Sequence, residues 1–113
     1  MIPILIKSRI LASLLSVVVV ANAIAVYPFL IVRDNLNEIQ MNHELIHFEQ
    51  QKELYVIGFY ALYVYDFFKG VIRYKDKTQA YRMIRFEQEA YDNELNLGYV
   101  VDRNKHAWNK YEV

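Results

Sequence analysis

The chain of 113 residues is one domain in size, and its 55% hydrophobic and 15% aromatic content is enough to fill a core. Lys plus Arg and Asp plus Glu number 13 each, so the chain has no net charge to attract nucleic acid. No nucleic-acid partner is predicted. Cysteine is absent, which excludes disulfides, thiolate ligands and a cysteine nucleophile, so any metal must be held by His, Asp or Glu.

The N-terminal stretch is apolar and allows three interpretations. Residues 10–32 carry no charge, and Lys7 and Arg9 precede them. A transmembrane helix needs about 20 apolar residues, so the length fits, although Asn22 and Pro28 interrupt the run. A signal peptide would use the two basic residues as its start and the small residues around Asn22 as its cleavage site.

The third interpretation, a β-hairpin, is the one we favour. It takes residues 4–16 as a short apolar helix, and residues 17–20 and 24–32 as two strands joined around Asn22, which tolerates turn geometry. Because Pro28 cannot donate to a strand ladder, the second strand is expected at the edge of the sheet. An extended peptide could pair with such an edge.

A long helix is predicted over residues 36–69. Asn35 or Asp34 would be its N-cap, and Gly58 is the expected bend or break. The first half is polar with an apolar stripe. The second half, residues 54–68, carries a single charge and is expected to be buried in the core.

Residues 70–78 are expected to form a basic loop, followed by a second helix over residues 79–97 that ends before Gly98. Residues 99–113 are expected to add one short amphipathic helix. The predicted fold class is therefore α+β and mostly α, with a single domain over residues 1–113. Its first 23 residues would be an apolar N-terminal helix, a signal or an anchor segment.

Residues 43–47 read His-Glu-Leu-Ile-His, which is the pattern His-Glu-x-x-His. On a helix, positions i and i+4 lie on the same face, so His43 and His47 can present two imidazole nitrogens to one metal ion about 2 Å away. Glu44 is rotated about 100° from His43, so it flanks the metal and can accept a proton from a metal-activated water. The competing interpretation is a solvated polar face, but apolar residues at 45, 46 and 48 indicate that the helix packs against a core.

Two histidines leave a catalytic zinc site one protein ligand short, because such sites usually have three. An acidic cluster on the second predicted helix supplies candidates. Glu87 shares a helix face with Ala90, whose small side chain permits close approach, whereas Glu89 lies about 200° away. We therefore expect Glu87 as the third ligand and Glu89 as the alternative. A solvated face paired with Arg82 and Arg85 is the competing interpretation.

A His-Glu-x-x-His helix followed by a helix with a Glu ligand resembles the gluzincin branch of the zincin metallopeptidases. The chain is more closely similar to a family of small bacterial and phage proteins regarded as zinc peptidases. The resemblance runs from about residue 25 to residue 111 and is specific in the two metal helices. It rests on Tyr27-Pro28-Phe29, residues 42–47 with Gln50-Gln51, Gly58-Phe59-Tyr60 with Tyr63, and Ala80-Tyr81-Arg82 with residues 86–91.

The resemblance implies a minimal zincin-like domain that binds Zn²⁺ and hydrolyses a peptide or protein substrate. His43 and His47 match the metal histidines, Glu44 the catalytic glutamate, and Glu87 the downstream ligand. Many gluzincins have Asp directly after the alanine of the Glu-x-x-Ala pattern, where this chain has Tyr91. The carboxylate that orients a metal histidine is then missing, or it is supplied by Asp92 or by another group.

Three side chains are candidate donors to the oxyanion of a hydrolytic intermediate, namely Tyr91, Tyr81 and His106. Each has an ordinary alternative, namely a core or surface aromatic for the two tyrosines and an exposed tail residue for His106. Gln50 and Gln51, one turn beyond His47, are either hydrogen-bond donors behind the metal ligands or plain surface amides. The aromatic stripe at Phe59, Tyr60, Tyr63 and Phe67 is expected to belong to the core.

Two other classes of function compete with a hydrolase. One is a binding or structural module that keeps a metal helix without turnover, because 113 residues leave little room for a walled substrate cleft. The other is a membrane-embedded protein with a metal site, which depends on residues 4–32. A cytoplasmic location is expected, with membrane anchoring or export through the apolar N-terminal segment as the alternative.

Overall fold

A computed structural model describes residues 3–10 and 23–113 of the chain. It is 64% helical, with a small three-stranded sheet on its N-terminal side. The predicted fold class, α+β and mostly α, is confirmed.

Three short strands form the sheet. They are β1 (Ile4–Lys7), β2 (Ala23–Val26) and β3 (Phe29–Val32), arranged in the order β1-β3-β2. β1 is parallel to β3, and β2 is antiparallel to it, with Val26 opposite Phe29. The chain turns between β2 and β3 at Tyr27 and Pro28, which are joined by a cis peptide bond. β2 is therefore an edge strand of the described sheet, and β3 is its centre.

A hairpin exists, but it is not the predicted one, because the single strand expected over residues 24–32 is divided into β2, a turn and β3. Its turn lies at Tyr27 and Pro28, where a proline does not interrupt the ladder between the two strands. The turn predicted around Asn22 lies outside the described residues. Residues 4–7 form a strand instead of the start of a helix, since a short apolar run does not distinguish the two by periodicity. Because residues 23–32 form two strands, no single helix crosses residues 10–32; the strand predicted over 17–20 lies outside the described residues.

The long helix, α1 (Glu38–Tyr74), begins two residues later than expected. Asn37 is its N-cap and not Asn35 or Asp34. The Asn37 side chain accepts from the backbone N–H of Gln40 at 2.8 Å, and the Gln40 side chain accepts from the backbone N–H of Asn37 at 3.0 Å. This reciprocal box satisfies two N–H groups that the first turn leaves unpaired.

α1 is broken at Tyr55, whose φ of 58° and ψ of 166° are not helical, and not at Gly58 as predicted. The two halves pack against different partners. Phe48, before the break, joins a core cluster with Leu30 and Val32 of the sheet. Phe59, after the break, belongs to a second cluster built with the later helices. A change of direction between these two cores explains the position of the break better than glycine content does.

The remaining elements are shorter than predicted. α1 continues through most of the expected 70–78 loop and ends at Tyr74. The predicted 79–97 helix is two helices, α2 (Lys77–Met83) and α3 (Arg85–Asn93), separated at Ile84, whose ψ of 130° is not helical. The tail forms α4 (Tyr99–Asp102) and a 3₁₀ turn (Ala107–Lys110) instead of one helix.

α1 and α2 approach each other closely at Gly70. A Cβ atom added there would lie 3.0 Å from Cα and Cβ of Ala80, which is fully buried. Small residues on both sides therefore allow the two backbones to meet.

The second half of α1 is not fully buried, contrary to expectation. Phe59 and Phe67 face the core, but Ile57, Phe68 and Ile72 are exposed. Among the described residues, α1 is the helix that is long and apolar enough to cross a membrane by length and composition. This is weak evidence, because the core helix of a soluble protein passes the same test.

Candidate metal centre

The two histidines of the motif lie one turn apart on α1 and face the protein interior. Their ring centroids are 4.9 Å apart, and their side chains are only 8% and 6% exposed for His43 and His47. The helical spacing of four residues brings the rings together, as the sequence predicts.

α3 brings a carboxylate to both rings. Glu87 Oε1 lies 3.0 Å from Nε2 of His43 and 3.2 Å from Nε2 of His47. Tyr63 of α1 donates its hydroxyl to the other carboxylate oxygen, Glu87 Oε2, at 2.7 Å. The Nε2 atoms of His43 and His47 and one carboxylate oxygen of Glu87 therefore meet in one place. Glu87 is the acidic residue of α3 that contacts both histidine rings.

Each histidine is held from behind through its other ring nitrogen. Nδ1 of His43 lies 2.8 Å from Glu94 Oε2, and Nδ1 of His47 lies 2.7 Å from Gln50 Oε1. Such partners fix the orientation and the tautomer of a metal-binding imidazole. Glu94 thus occupies the position beside a motif histidine that the sequence left to Asp92 or to another group.

Asn42, the residue before the motif, fastens α1 to the end of α3. Its side-chain N–H groups donate to the backbone carbonyls of Glu94 at 2.8 Å and Asn96 at 3.0 Å. Glu94 is the C-cap of α3, where a helix leaves its last carbonyls without partners inside the helix. These two hydrogen bonds hold the end of α3 against α1, so that the Glu94 side chain lies beside His43.

The partners of the rings determine where the protons lie. Gln50 Nε2 donates to the backbone carbonyl of Phe86 at 3.1 Å and to Glu89 Oε1 at 3.0 Å, so its Oε1 must be the atom that faces His47. Nδ1 of His47 is then the donor, and in a neutral imidazole Nε2 carries a lone pair. The same reasoning applies to His43, whose Nδ1 faces the carboxylate of Glu94.

Without a cation, lone pairs on both Nε2 atoms would face the Glu87 carboxylate, and only added protons relieve this. Burial lowers the pKa of His47, but the Glu87 carboxylate outweighs it and raises that pKa to about 9. The pKa of His43 is raised in the same way against its burial. Burial raises the pKa of Glu87, yet the two histidines hold it well below its ordinary value.

A divalent cation meets the same need as the protons. Two imidazole nitrogens and one carboxylate oxygen form the donor set that zinc takes in sites with three protein ligands. The donor chemistry and the partners behind each histidine therefore fit Zn²⁺.

Glu44 stands beside this group without a fixed partner. One ligand atom from each of His43, Glu44 and His47 lies within 4.8 Å of the others, so these three also form a group that could hold a metal ion. Within the described residues, no hydrogen bond or salt bridge holds the Glu44 carboxylate. Burial raises its pKa, and the neighbouring histidines oppose that shift.

The other predicted residues divide into near and distant groups. Tyr91 packs its ring edge against His43, with centroids 4.5 Å apart, and its hydroxyl lies 3.0 Å from that of Tyr81. Asp92 instead accepts from Tyr111, and the backbone N–H of His106 donates to Glu53. These last contacts direct Asp92 and His106 to other partners than the histidine rings.

Glu89, the alternative ligand, does not bond to either histidine ring and lies one residue removed from His47, behind Gln50. It is fully buried and accepts from Arg103, Tyr99 and Gln50, without a hydrogen bond to His43 or His47 in the described part of the chain. The helix geometry that separated Glu89 from Glu87 accounts for this.

Gln51 occupies the open edge of β2. Its amide donates to the carbonyl of Ala25 at 2.8 Å and accepts from the backbone N–H of Tyr27 at 2.7 Å. The hydroxyl of Tyr60 also donates to Ala25 O. One side-chain amide thus takes the donor and the acceptor that a neighbouring strand would take.

Sequence reasoning missed three residues around the site. Tyr63 was expected to be plain core, although its hydroxyl holds Glu87. Glu94 was assigned no partner, although its spacing of seven residues from Glu87 places both on one helix face. Arg103 had no local signal, because it reaches Glu89 only through the fold of the tail.

No protein-family model, characterised protein or solved structure matches this chain.

Proposed function

We propose that this chain is a zinc-dependent metallopeptidase of the gluzincin kind, with His43, His47 and Glu87 as metal ligands and Glu44 as general base. The observation that carries the proposal is the meeting of two Nε2 atoms at Glu87 Oε1, at 3.0 and 3.2 Å, while both Nδ1 atoms are held from behind. An ordinary solvated helix face has neither feature.

Zinc, when bound, acts as a Lewis acid and lowers the pKa of a water ligand to about 7. The protein supplies the rest of the chemistry. Glu44 takes a proton from the attacking water and returns it to the leaving amine. Its freedom from a fixed partner among the described residues suits a group that must turn between two positions.

The substrate is a peptide or protein, and it approaches on the side of Glu44, because the three proposed ligands are buried and Glu44 is partly exposed. Pairing with β2 at Ala25 and Tyr27 is opposed, because Gln51 and Tyr60 already hold those backbone groups. Strand addition at that point would require both side chains to move.

A second candidate function is a metal-binding module without turnover. Its support is the burial of the donor set, since His43, His47 and Glu87, taken as whole residues, are only 6%, 5% and 4% exposed. A site so closed can hold an ion without admitting a substrate backbone.

Metal content is the first test. Purified protein is analysed by plasma mass spectrometry beside His47→Ala and Glu44→Gln, after incubation with zinc and gel filtration. We expect one zinc per chain in the unaltered protein and in Glu44→Gln, and none in His47→Ala. Absence of metal from the unaltered protein would overturn the metal site and both candidate functions with it.

Turnover is tested next with a library of quenched fluorescent peptides. The metallopeptidase proposal expects cleavage that chelator removes, that zinc restores, and that Glu44→Gln loses although it retains zinc. Zinc binding without cleavage of any peptide in the library would favour the module instead.

We further propose a cytoplasmic location. Membrane anchoring is the alternative, and the exposed apolar side chains of Ile57, Phe68 and Ile72 on α1 are the observation that supports it. Fractionation of expressing cells separates the two: protein in the membrane pellet that only detergent releases would contradict the cytoplasmic assignment.

A further inference from the structure

A buried charged network lies behind the proposed metal ligand His47, and it begins in the C-terminal tail. Arg103 follows α4, and its side chain is only 4% exposed between two carboxylates. Its Nη1 and Nη2 atoms bond to the carboxylate of Glu53 at 2.9 and 3.1 Å. Its Nε and Nη2 atoms bond to Glu89 at 2.5 and 3.0 Å. Both contacts use two guanidinium nitrogens, the geometry that arginine provides and lysine does not.

Glu89 depends on this arginine. Its side chain is 0% exposed, and a buried carboxylate is costly unless it is paired and hydrogen-bonded. Besides Arg103, it accepts from the hydroxyl of Tyr99 at 2.7 Å and from Gln50 Nε2 at 3.0 Å. Arg103 is its cationic partner.

Gln50 connects the network to the histidine. One hydrogen of its amide goes to Glu89 and one to the carbonyl of Phe86, so the amide oxygen is left for Nδ1 of His47 at 2.7 Å. If the Glu89 bond is lost, the amide loses one of the two contacts that fix its orientation. His47 then loses the acceptor that keeps Nδ1 protonated and Nε2 free for a metal.

We propose that Arg103 is a positioning residue for the metal centre, acting on His47 through Glu89 and Gln50. This inference rests on the proposed metal site. It makes the tail a working part of that site, since a chain without Arg103 would retain all three ligands and lose the order of one of them. A purely structural Arg103 would affect the stability of the fold and leave the His47 ring unchanged.

The first test is made on the metal-free, full-length protein, so that it does not depend on zinc or on turnover. Proton and ¹⁵N NMR of labelled protein should detect a slowly exchanging ring N–H, assigned to Nδ1 of His47. We expect Arg103→Ala to lose this resonance or to raise its exchange rate at least tenfold. Arg85→Ala is the matched control, because Arg85 also pairs with a buried carboxylate, Asp66, at 2.8 Å but has no contact with Gln50 or His47 in the described residues.

The second readout is zinc affinity, measured by competition with a chelator. Loss of a partner behind a metal ligand typically weakens binding about 10–100-fold, and we expect that range for Arg103→Ala. Arg103→Lys should lose less, because it retains a cation beside Glu89 without the two-pronged contact. If Arg103→Ala does not fold, Arg103→Lys carries both measurements, with a smaller change in the same direction expected.

The outcomes are distinct from those of the proposed function. An unaltered protein that binds no zinc overturns the metal site itself. A protein that binds zinc, whose His47 N–H and affinity are the same in Arg103→Ala or Arg103→Lys as in the unaltered chain, overturns the positioning role while the metal site stands. Equal losses in Arg85→Ala would overturn it too, because they would follow from lower stability alone.

Discussion

Glu94 provides the sharpest test of the proposed metal centre. From the sequence, Asp92 is the named candidate for the carboxylate that orients a metal histidine. In the structure Glu94 lies 2.8 Å from Nδ1 of His43, whereas Asp92 accepts from Tyr111. Glu94→Ala removes the carboxylate and leaves the backbone carbonyl that Asn42 uses. Asp92→Asn is the matched control on the same turn of the chain.

The magnitude follows from the contact and its exposure. Loss of a carboxylate behind a metal histidine costs about 10–100-fold in affinity, which is about 1.4–2.7 kcal/mol. The Glu94 side chain is 24% exposed, so water partly replaces it, and we expect the lower end, about tenfold. Glu94→Gln retains an acceptor without the charge and should lose roughly half as much free energy.

Chelator competition at fixed pH and ionic strength measures these affinities, with the free energy of unfolding as a check on the fold. We expect the zinc affinity of Asp92→Asn to lie within about twofold of that of the unaltered protein, because Asp92 bonds to the hydroxyl of Tyr111 in the tail. Affinity unchanged in Glu94→Ala, or reduced equally in Asp92→Asn, would refute the assignment of Glu94 to His43.

Three further outcomes test the fold and the site. Gly70→Ala places a new Cβ 3.0 Å from atoms of Ala80, whereas the nearest atom to a new Cβ at Gly58 is 3.5 Å away. Both substitutions gain helix propensity, so the free energy of unfolding in urea should be about 1–3 kcal/mol lower for Gly70→Ala than for Gly58→Ala. Equal values would contradict the close approach of α1 and α2. Tyr63→Phe removes the hydrogen bond to Glu87, and we expect zinc affinity, measured by chelator competition, to fall about 5–10-fold. An unchanged affinity would argue against a role of Tyr63 in holding Glu87. Zinc at 100 times its dissociation constant should stabilise the fold by about 2.7 kcal/mol, seen as a higher melting temperature that chelator reverses; the same rise in Glu87→Gln would remove Glu87 from the ligand set.

The helices that carry the site were predictable because their signals are local. A spacing of four residues fixes the two histidines on one face of α1, and Ala90 in α3 permits the approach that brings Glu87 to them. The exact ends were less accessible, because caps such as Asn37 compete with Asp34 and Asn35 as neighbours of similar propensity.

The parts that the sequence did not predict depend on contacts between distant segments. The break at Tyr55 separates two cores, and the choice between them is a matter of tertiary packing. Gln51 holds β2 from 24 residues away, and Arg103 reaches Glu89 from 14 residues away, with no periodic pattern to indicate either contact. Strands of four residues, such as β1, are also too short to show a period that excludes a helix.

The roles that we propose within the centre rest on which groups are anchored. His43, His47 and Glu87 are each held from behind, by Glu94, Gln50 and Tyr63, and a ligand needs this fixed geometry because the metal tolerates little displacement.

Glu44 lies in the same space and, within the described residues, has no such anchor. A general base must face water in one step and the leaving group in the next, so an anchor would hinder it. The His-Glu-x-x-His motif alone cannot distinguish a ligand from a base among carboxylates that stand this close together. The hydrogen bonds behind the donors do distinguish them, and they support the proposed roles, with the fixed groups as metal ligands and the free carboxylate as the base.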